Sequence, residues 1–196
     1  MAPPEDLLAG GGGDDDLVEE LTRWLAGQRA DAAAAARARE RWLRQQAAEE
    51  TVFAGVLLDL AERGRGVVVH GAGQRRHRGT VRAVAEDFLA FHTVEGVDVL
   101  LRYEGIAALR PQGGGDALVG DRPHALDMTM AEAVAALVAD RPRVLVVTLD
   151  GSALSGEVRV AGRDVLVLRL DGDAASVAYV PLASVAELSL VEGFSP

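Results

Sequence analysis

The spacing of apolar positions changes character near residue 65. Before that point apolar residues recur at helical intervals. Asp16 followed by Glu19 has the spacing of a capping box, and Leu17, Leu21, Trp24 and Leu25 then share one face. The Ala-rich run 32–36, Trp42 and Leu43 continue the period, so the pattern predicts a helical arm over 16–48, about 50 Å long at 1.5 Å per residue. A second, more apolar helical stretch over 50–62 ends at Arg63-Gly64.

From residue 66 the period shortens to strand-like runs at 67–69, 80–84, 88–91, 97–101 and 106–109, separated by Gly, Asp and Glu. Thr129 with Glu132 forms another capping box and predicts a helix to 140, stopped by Arg141-Pro142. A second set of strands follows at 144–149, 157–160, 165–170, 177–180 and 185–190. The two sets match at a constant offset of 77: Leu60, Val67 and Val69 lie over Leu137, Val144 and Val146, Gly79-x-Val81-Arg82 over Gly156-x-Val158-Arg159, and Asp87-x-Leu89 over Asp164-x-Leu166. Beyond the next turn the offset becomes 79, and Leu101, Ile106 and Leu109 lie over Val180, Val185 and Leu188.

Two copies at so long a period mark a duplicated unit rather than a solenoid. The expected architecture is mainly β with a helical N-terminus (α+β), built as two tandem five-stranded small barrels, each preceded by a helix. The repeated Gly79 and Gly156 predict a bend or bulge that lets the sheet curl. Inward positions are Val69, Val81, Leu89, Leu101 and Ile106, with Val146, Val158, Leu166, Val180 and Val185 as their counterparts. The chain divides into a disordered acidic leader (1–15), the arm (16–48), a first helix-plus-barrel repeat (49–111), a linker (112–127), a second repeat (128–191) and a tail (192–196).

The Val-rich first strand, the hairpin ending at Gly79 or Gly156, the Asp87 or Asp164 turn and the short close at Ile106 or Val185 resemble the Sm-like (SH3-like) small β-barrels. The charged N-terminal helix and the closing segment 179–185 are also similar to a group of proteins from high-GC bacterial genomes. The resemblance implies a helix plus five bent strands over roughly 57–110 and 134–190. The RNA chemistry of such barrels needs an Asn after the acidic turn residue and an Arg-Gly in the second motif. This chain has no Asn, and 176–186 has no Arg-Gly, so the likeness extends to fold alone.

Composition then narrows the chemistry. The 196 residues contain no Cys and no Lys, which removes disulfides, thiolate metal sites, cysteine nucleophiles and Schiff-base chemistry. No apolar run approaches the roughly 18 residues of a membrane span. With no signal-peptide pattern after Met1, a cytoplasmic location is expected. The net charge of −10 is concentrated in 1–20, which hold seven acids and no Arg. Among the four histidines, His92-x-x-Glu95 has a spacing a metal could use, but strand alternation puts residues three apart on opposite faces, and no second His has the spacing to share a helical face. Asp150-Gly151 and Asp171-Gly172 read as turns rather than calcium loops. No serine stands in a nucleophile elbow. These readings predict no enzyme, no cofactor and no metal.

Two features remain as candidate sites. The hairpin tip 74–78 carries Arg75, Arg76, His77 and Arg78, with Arg82 beyond, in a stretch free of acids. This is a candidate nucleic-acid-binding patch, although the overall negative charge disfavours such a partner. Leu17, Leu21, Trp24, Leu25, Trp42 and Leu43 form the apolar stripe of the arm, a candidate self-association seam. The expected role is a non-catalytic interaction or scaffold module whose partner is a protein or a second copy, with a nucleic-acid-associated regulator as the alternative.

Overall fold

The computed structural model describes residues 13–113, 125–172 and 176–191, the side chains of 13–21 and of Leu25 excepted. The chain divides into a helical unit ending at Glu49 and a second unit from Glu50 onward. The first unit is one helix, α1 (Gly13–Glu49). It begins three residues ahead of the expected Asp16 start, so Asp16 lies inside the helix rather than at its cap. Most of the expected leader 1–15, much of the linker 112–127 and the tail 192–196 lie outside the described residues. Among the described residues no helix is long and apolar enough to cross a membrane.

Among the described residues, the second unit carries two α-helices and ten strands. Helix α2 (Phe53–Glu62) precedes β1 (Gly66–Gly71), β2 (Arg76–Val84), β3 (Phe88–Thr93), β4 (Asp98–Arg102) and β5 (Ile106–Pro111). Helix α3 (Met130–Leu137) opens on the expected capping box, with Thr129 accepting from the Glu132 amide and Glu132 accepting from that of Thr129. A short 3-10 turn extends it to Asp140, and Arg141 ends it in the left-handed region at φ 46°. The strands β6 (Arg143–Thr148), β7 (Ala153–Ala161), β8 (Val165–Leu170), β9 (Val177–Pro181) and β10 (Val185–Leu190) follow.

All ten strands form one antiparallel sheet, in the order β5-β1-β2-β3-β4-β10-β6-β7-β8-β9. Instead of two separate closed barrels, there is one open sheet whose two halves have the same internal order and share the joint between β4 and β10. Within each half all five strands, together with the preceding helix, feed one apolar cluster. Leu57, Val69, Val81, Leu89 and Leu101 belong to the first cluster, and Val134, Val146, Val158, Leu166 and Val185 to the second. Five antiparallel strands can share a single core only if the sheet bends around it. Of the ten predicted inward positions, nine are buried, and Ile106 packs against the first cluster from a partly exposed position.

The repeat extends to the irregularities. The β2–β3 register shifts between Val81 and Ala83, leaving out Arg82, and the β7–β8 register shifts between Val158 and Val160, leaving out Arg159. A second shift leaves out Ala107 in the first half and Ala186 in the second. These bulges supply the bend. Gly79 and Gly156 are not bulge residues. A Cβ on Gly79 would stand 1.9 Å from the His92 carbonyl oxygen, and one on Gly156 2.3 Å from that of Arg169. Each glycine lets the next strand cross closely over the core. The acidic turns also match: Asp87 accepts from the Tyr103 amide at 3.0 Å, and Asp164 from the Leu182 amide at 2.8 Å, both through the main-chain carbonyl.

We predict that Gly79→Ala destabilises the second unit by about 1–3 kcal/mol, because the added carbon overpacks a backbone crossing. Gly27→Ala, on α1 with nothing within 4 Å of the new carbon, should instead raise helicity. Urea denaturation and far-UV circular dichroism of both variants check the contrast.

Candidate functional site

The joint between the halves contains the least ordinary side-chain arrangement in the sheet. Strand β10 is buried along almost its whole length, whereas its repeat counterpart β5 is mostly exposed. Position 187, third in β10, carries a glutamate that is only 2% exposed. Two residues of the first half reach it. The Arg75 Nε donates to its two carboxylate oxygens at 3.1 and 3.2 Å. His77 Nε2 lies 2.9 Å from Oε2, and the Ser189 hydroxyl donates to Oε1 at 3.1 Å. A buried carboxylate is tolerated only when it is paired and its lone pairs are filled. Burial pushes the Glu187 carboxyl up, but His77 and then Arg75 outweigh it, and the net effect holds the group below the usual carboxylate range.

On the other side of the joint Arg102 performs the complementary task. Its Nε donates to the Val185 carbonyl at 3.0 Å and its Nη2 to the Leu182 carbonyl at 3.2 Å, both on the second half. Its Nη1 donates to Asp87 at 3.0 Å. The other Asp87 oxygen accepts from the Met130 amide at 2.7 Å, so one carboxylate holds both Arg102 and the start of α3. Gly105 lies against Ala186 so closely that a Cβ on it would stand 2.7 Å from that of Ala186. Beside this, Tyr103 donates its hydroxyl to the Ala85 carbonyl at 2.6 Å. Burial, and then Asp87, raise the Tyr103 phenol to about 12.

A cleft of about 450 Å³ opens over the Glu187 cluster, with Arg75, His77 and Thr93 on its polar side and Val97, Leu145 and Leu190 on its apolar side. A second groove, of about 420 Å³, runs beside β9 and is lined by Asp150, Ser152, Leu154, Tyr179, Pro181 and Ser184 among others. Asp150 caps its own turn, accepting from Thr148 Oγ1 and from the Ser152 amide and hydroxyl. Those bonds hold its carboxyl below the ordinary range. Gly151 and Gly172 take φ of 89° and 86°, the turn role expected of both Asp-Gly pairs.

The structure divides the arginine-rich candidate patch. The turn is shorter than expected, a 3-10 turn over Ala72–Gln74, and Arg76, His77 and Arg78 already belong to β2. Strand alternation therefore sends Arg75 and His77 toward Glu187, while Arg76 and Arg78 share the opposite, exposed face and Arg82 is exposed at the bulge. Arg110 joins that face, because Arg78 and Arg110 are the two cross-strand neighbours of Val68. His92 Nδ1 lies 2.6 Å from Asp98 Oδ1. On α1, Trp24, Trp42 and Leu43 are exposed. Leu17, Leu21 and Leu25 fall within the helix, but their side chains lie outside the described residues.

Arg102, Gly105 and Glu187 carry the joint, and no motif search selects them. The signal that finds them is divergence between the repeats: Arg102 stands over Pro181, Gly105 over Ser184 and Ala108 over Glu187. The chain matches no protein-family model. Nor is any curated protein detectably similar to it.

A carboxyl held below its ordinary range stabilises the fold above that range and ceases to do so as the pH falls through its folded value. Glu187→Gln should therefore lower stability by about 2 kcal/mol at pH 7. The gap to the unsubstituted protein should close below the usual glutamate value of about 4.3. Urea midpoints from pH 7 down to pH 3 measure it.

Proposed function

We propose that this protein is a non-catalytic interaction and scaffold module that associates with a second copy of itself through α1. The observation that carries this reading is the exposure of Trp24 and Trp42, 60% and 62%, on a single 37-residue helix. Their spacing of eighteen residues is five full turns, so both rings lie on one face, with Leu43, 52% exposed, beside the second. Two large rings left in water on one stripe are the pattern of a helix that pairs. Alanines at 32–36 between them permit close approach of another helix.

In this reading the ten-stranded unit is a separately folded part of the same chain. Its two equivalent, bent five-stranded halves are consistent with the Sm-like or SH3-like small-barrel class, a kinship of fold that carries no activity with it. A second reading rests on the exposed Arg76, Arg78 and Arg110 face, which could take an anionic strand. It predicts copurifying material that absorbs at 260 nm and is released as salt rises.

Sedimentation velocity over a hundredfold concentration range tests the first reading. A dimer that strengthens with concentration is expected, and Trp24→Ala or Trp42→Ala should weaken it at least tenfold, about 1.4 kcal/mol. The near-native melting of the sheet unit should persist in both variants. A monomer at every concentration overturns the proposal.

A further inference from the structure

The groove beside β9 is the repeat counterpart of a slot that is already filled elsewhere in the same chain. Shifted back by 77 and 79 residues, its lining residues Ser152, Leu154, Tyr179, Val180, Pro181 and Ser184 become Arg75, His77, Leu100, Leu101, Arg102 and Gly105. Those are residues on which β10 is seated. Leu100 and Leu101 pair with Leu188 and Glu187, Arg75 and His77 hold the Glu187 carboxylate, and Arg102 and Gly105 meet Val185 and Ala186. In the first half, the slot holds a strand. In the second half, among the described residues, the same backbone frame lies open along β9, the last strand of the sheet on that side, with Tyr179 73% and Val177 48% exposed.

We infer that this groove is a strand-accepting site that binds an extended segment of a partner protein by adding it to the β9 edge, and that the segment carries glycine followed by two apolar residues. The requirements follow from the positions at which the two slots differ. Ser184 replaces Gly105, whose neighbour Ala186 already leaves no room for another carbon, so the incoming residue at that position has to lack a side chain. Ser152 and Leu154 replace Arg75 and His77, which removes both partners of a carboxylate, and the Asp150 side chain adds negative charge to the groove. The residue in the Glu187 position is therefore apolar, facing Leu154 and Val180. The next residue, in the Leu188 position, falls opposite Tyr179. Main-chain pairing supplies affinity, and these side-chain positions supply selectivity.

The strand edge that a second copy would offer does not meet these requirements. The free β5 edge presents Ala107 at the position of Ala186, so a joint with Ser184 would place a carbon on both sides of a contact that holds only one. Pro181 also stands where Arg102 fastens the internal joint to the Val185 and Leu182 carbonyls. The groove thus accepts a strand while excluding the chain's own.

The test uses the full-length protein and two synthetic peptides, both extended by two arginines for solubility. One has the sequence of residues 185–190, and the other the same sequence with Ala186→Gly and Glu187→Val. Isothermal titration should show the second peptide binding at least tenfold tighter than the first. Amide exchange should slow in Val177–Pro181 on binding. In a protein carrying Ser152→Arg, Leu154→His and Ser184→Gly, checked for an unchanged melting profile, the preference should reverse toward the unmodified peptide. Equal binding of both peptides, no binding at millimolar concentration, or protection outside β9 would overturn the inference. So would self-association that the glycine peptide competes away, since a second copy would then be the occupant. None of these outcomes depends on α1, so they are separable from the fate of the arm proposal.

Discussion

The antiparallel joint between β4 and β10 is the interaction on which the second unit depends. Two sequence-equivalent halves could remain separate, or stack in either order. One buried carboxylate and one guanidinium decide between these possibilities. Glu187 can leave water only where Arg75 and His77 meet it, and Arg102 reaches two main-chain acceptors only when β10 lies beside β4. Such groups contribute more to the uniqueness of an arrangement than to its stability, since an ion pair displaced from its partners is heavily penalised. The same joint makes β10 an interior strand and leaves β5 and β9 as edges.

The two halves have therefore diverged in a patterned way. Core positions remain apolar in both, and both bulges and both glycine crossings are retained, because each half must bend around its own cluster. Differences collect where the halves meet or where a counterpart of that meeting is exposed. Arg75, His77, Arg102 and Gly105 lie inside the joint, and Ser152, Leu154, Pro181 and Ser184 stand at the equivalent positions of the open groove. This asymmetry limits the sheet to ten strands while leaving one edge with its frame intact.

Much of this fold was legible in the sequence. Period-2 apolar runs and the offset of 77 place the strands and the core, and the Thr129–Glu132 capping box places α3 within a residue. The joint was not legible for a physical reason. Glu187 and Ser189 alternate with Ala186 and Leu188, which reads as a strand with one wet face. Only the arrival of residues 112 positions away turns that polar face into an interior. The basic patch failed similarly: alternation along β2 is visible in the sequence, but the acid that claims Arg75 and His77 is remote. The absence of closure also lay beyond periodicity, because strand count and spacing are the same in a closed barrel and in half of a shared sheet.

The position of β10 has a consequence for synthesis. It is made after every other strand of the sheet, yet it belongs at the centre. When the ribosome has released β1 to β5, the first half can already collapse on its core, while Arg75, His77 and the outer side of β4 await a partner still to be translated. At roughly 5–20 residues per second, that interval is on the order of 4–16 s. During it the nascent chain exposes a receptive edge next to an arginine and a histidine, a mixture less prone to aggregation than a bare apolar edge. The acid that pairs with them arrives on the strand that covers the edge, so pairing and closure occur in one event.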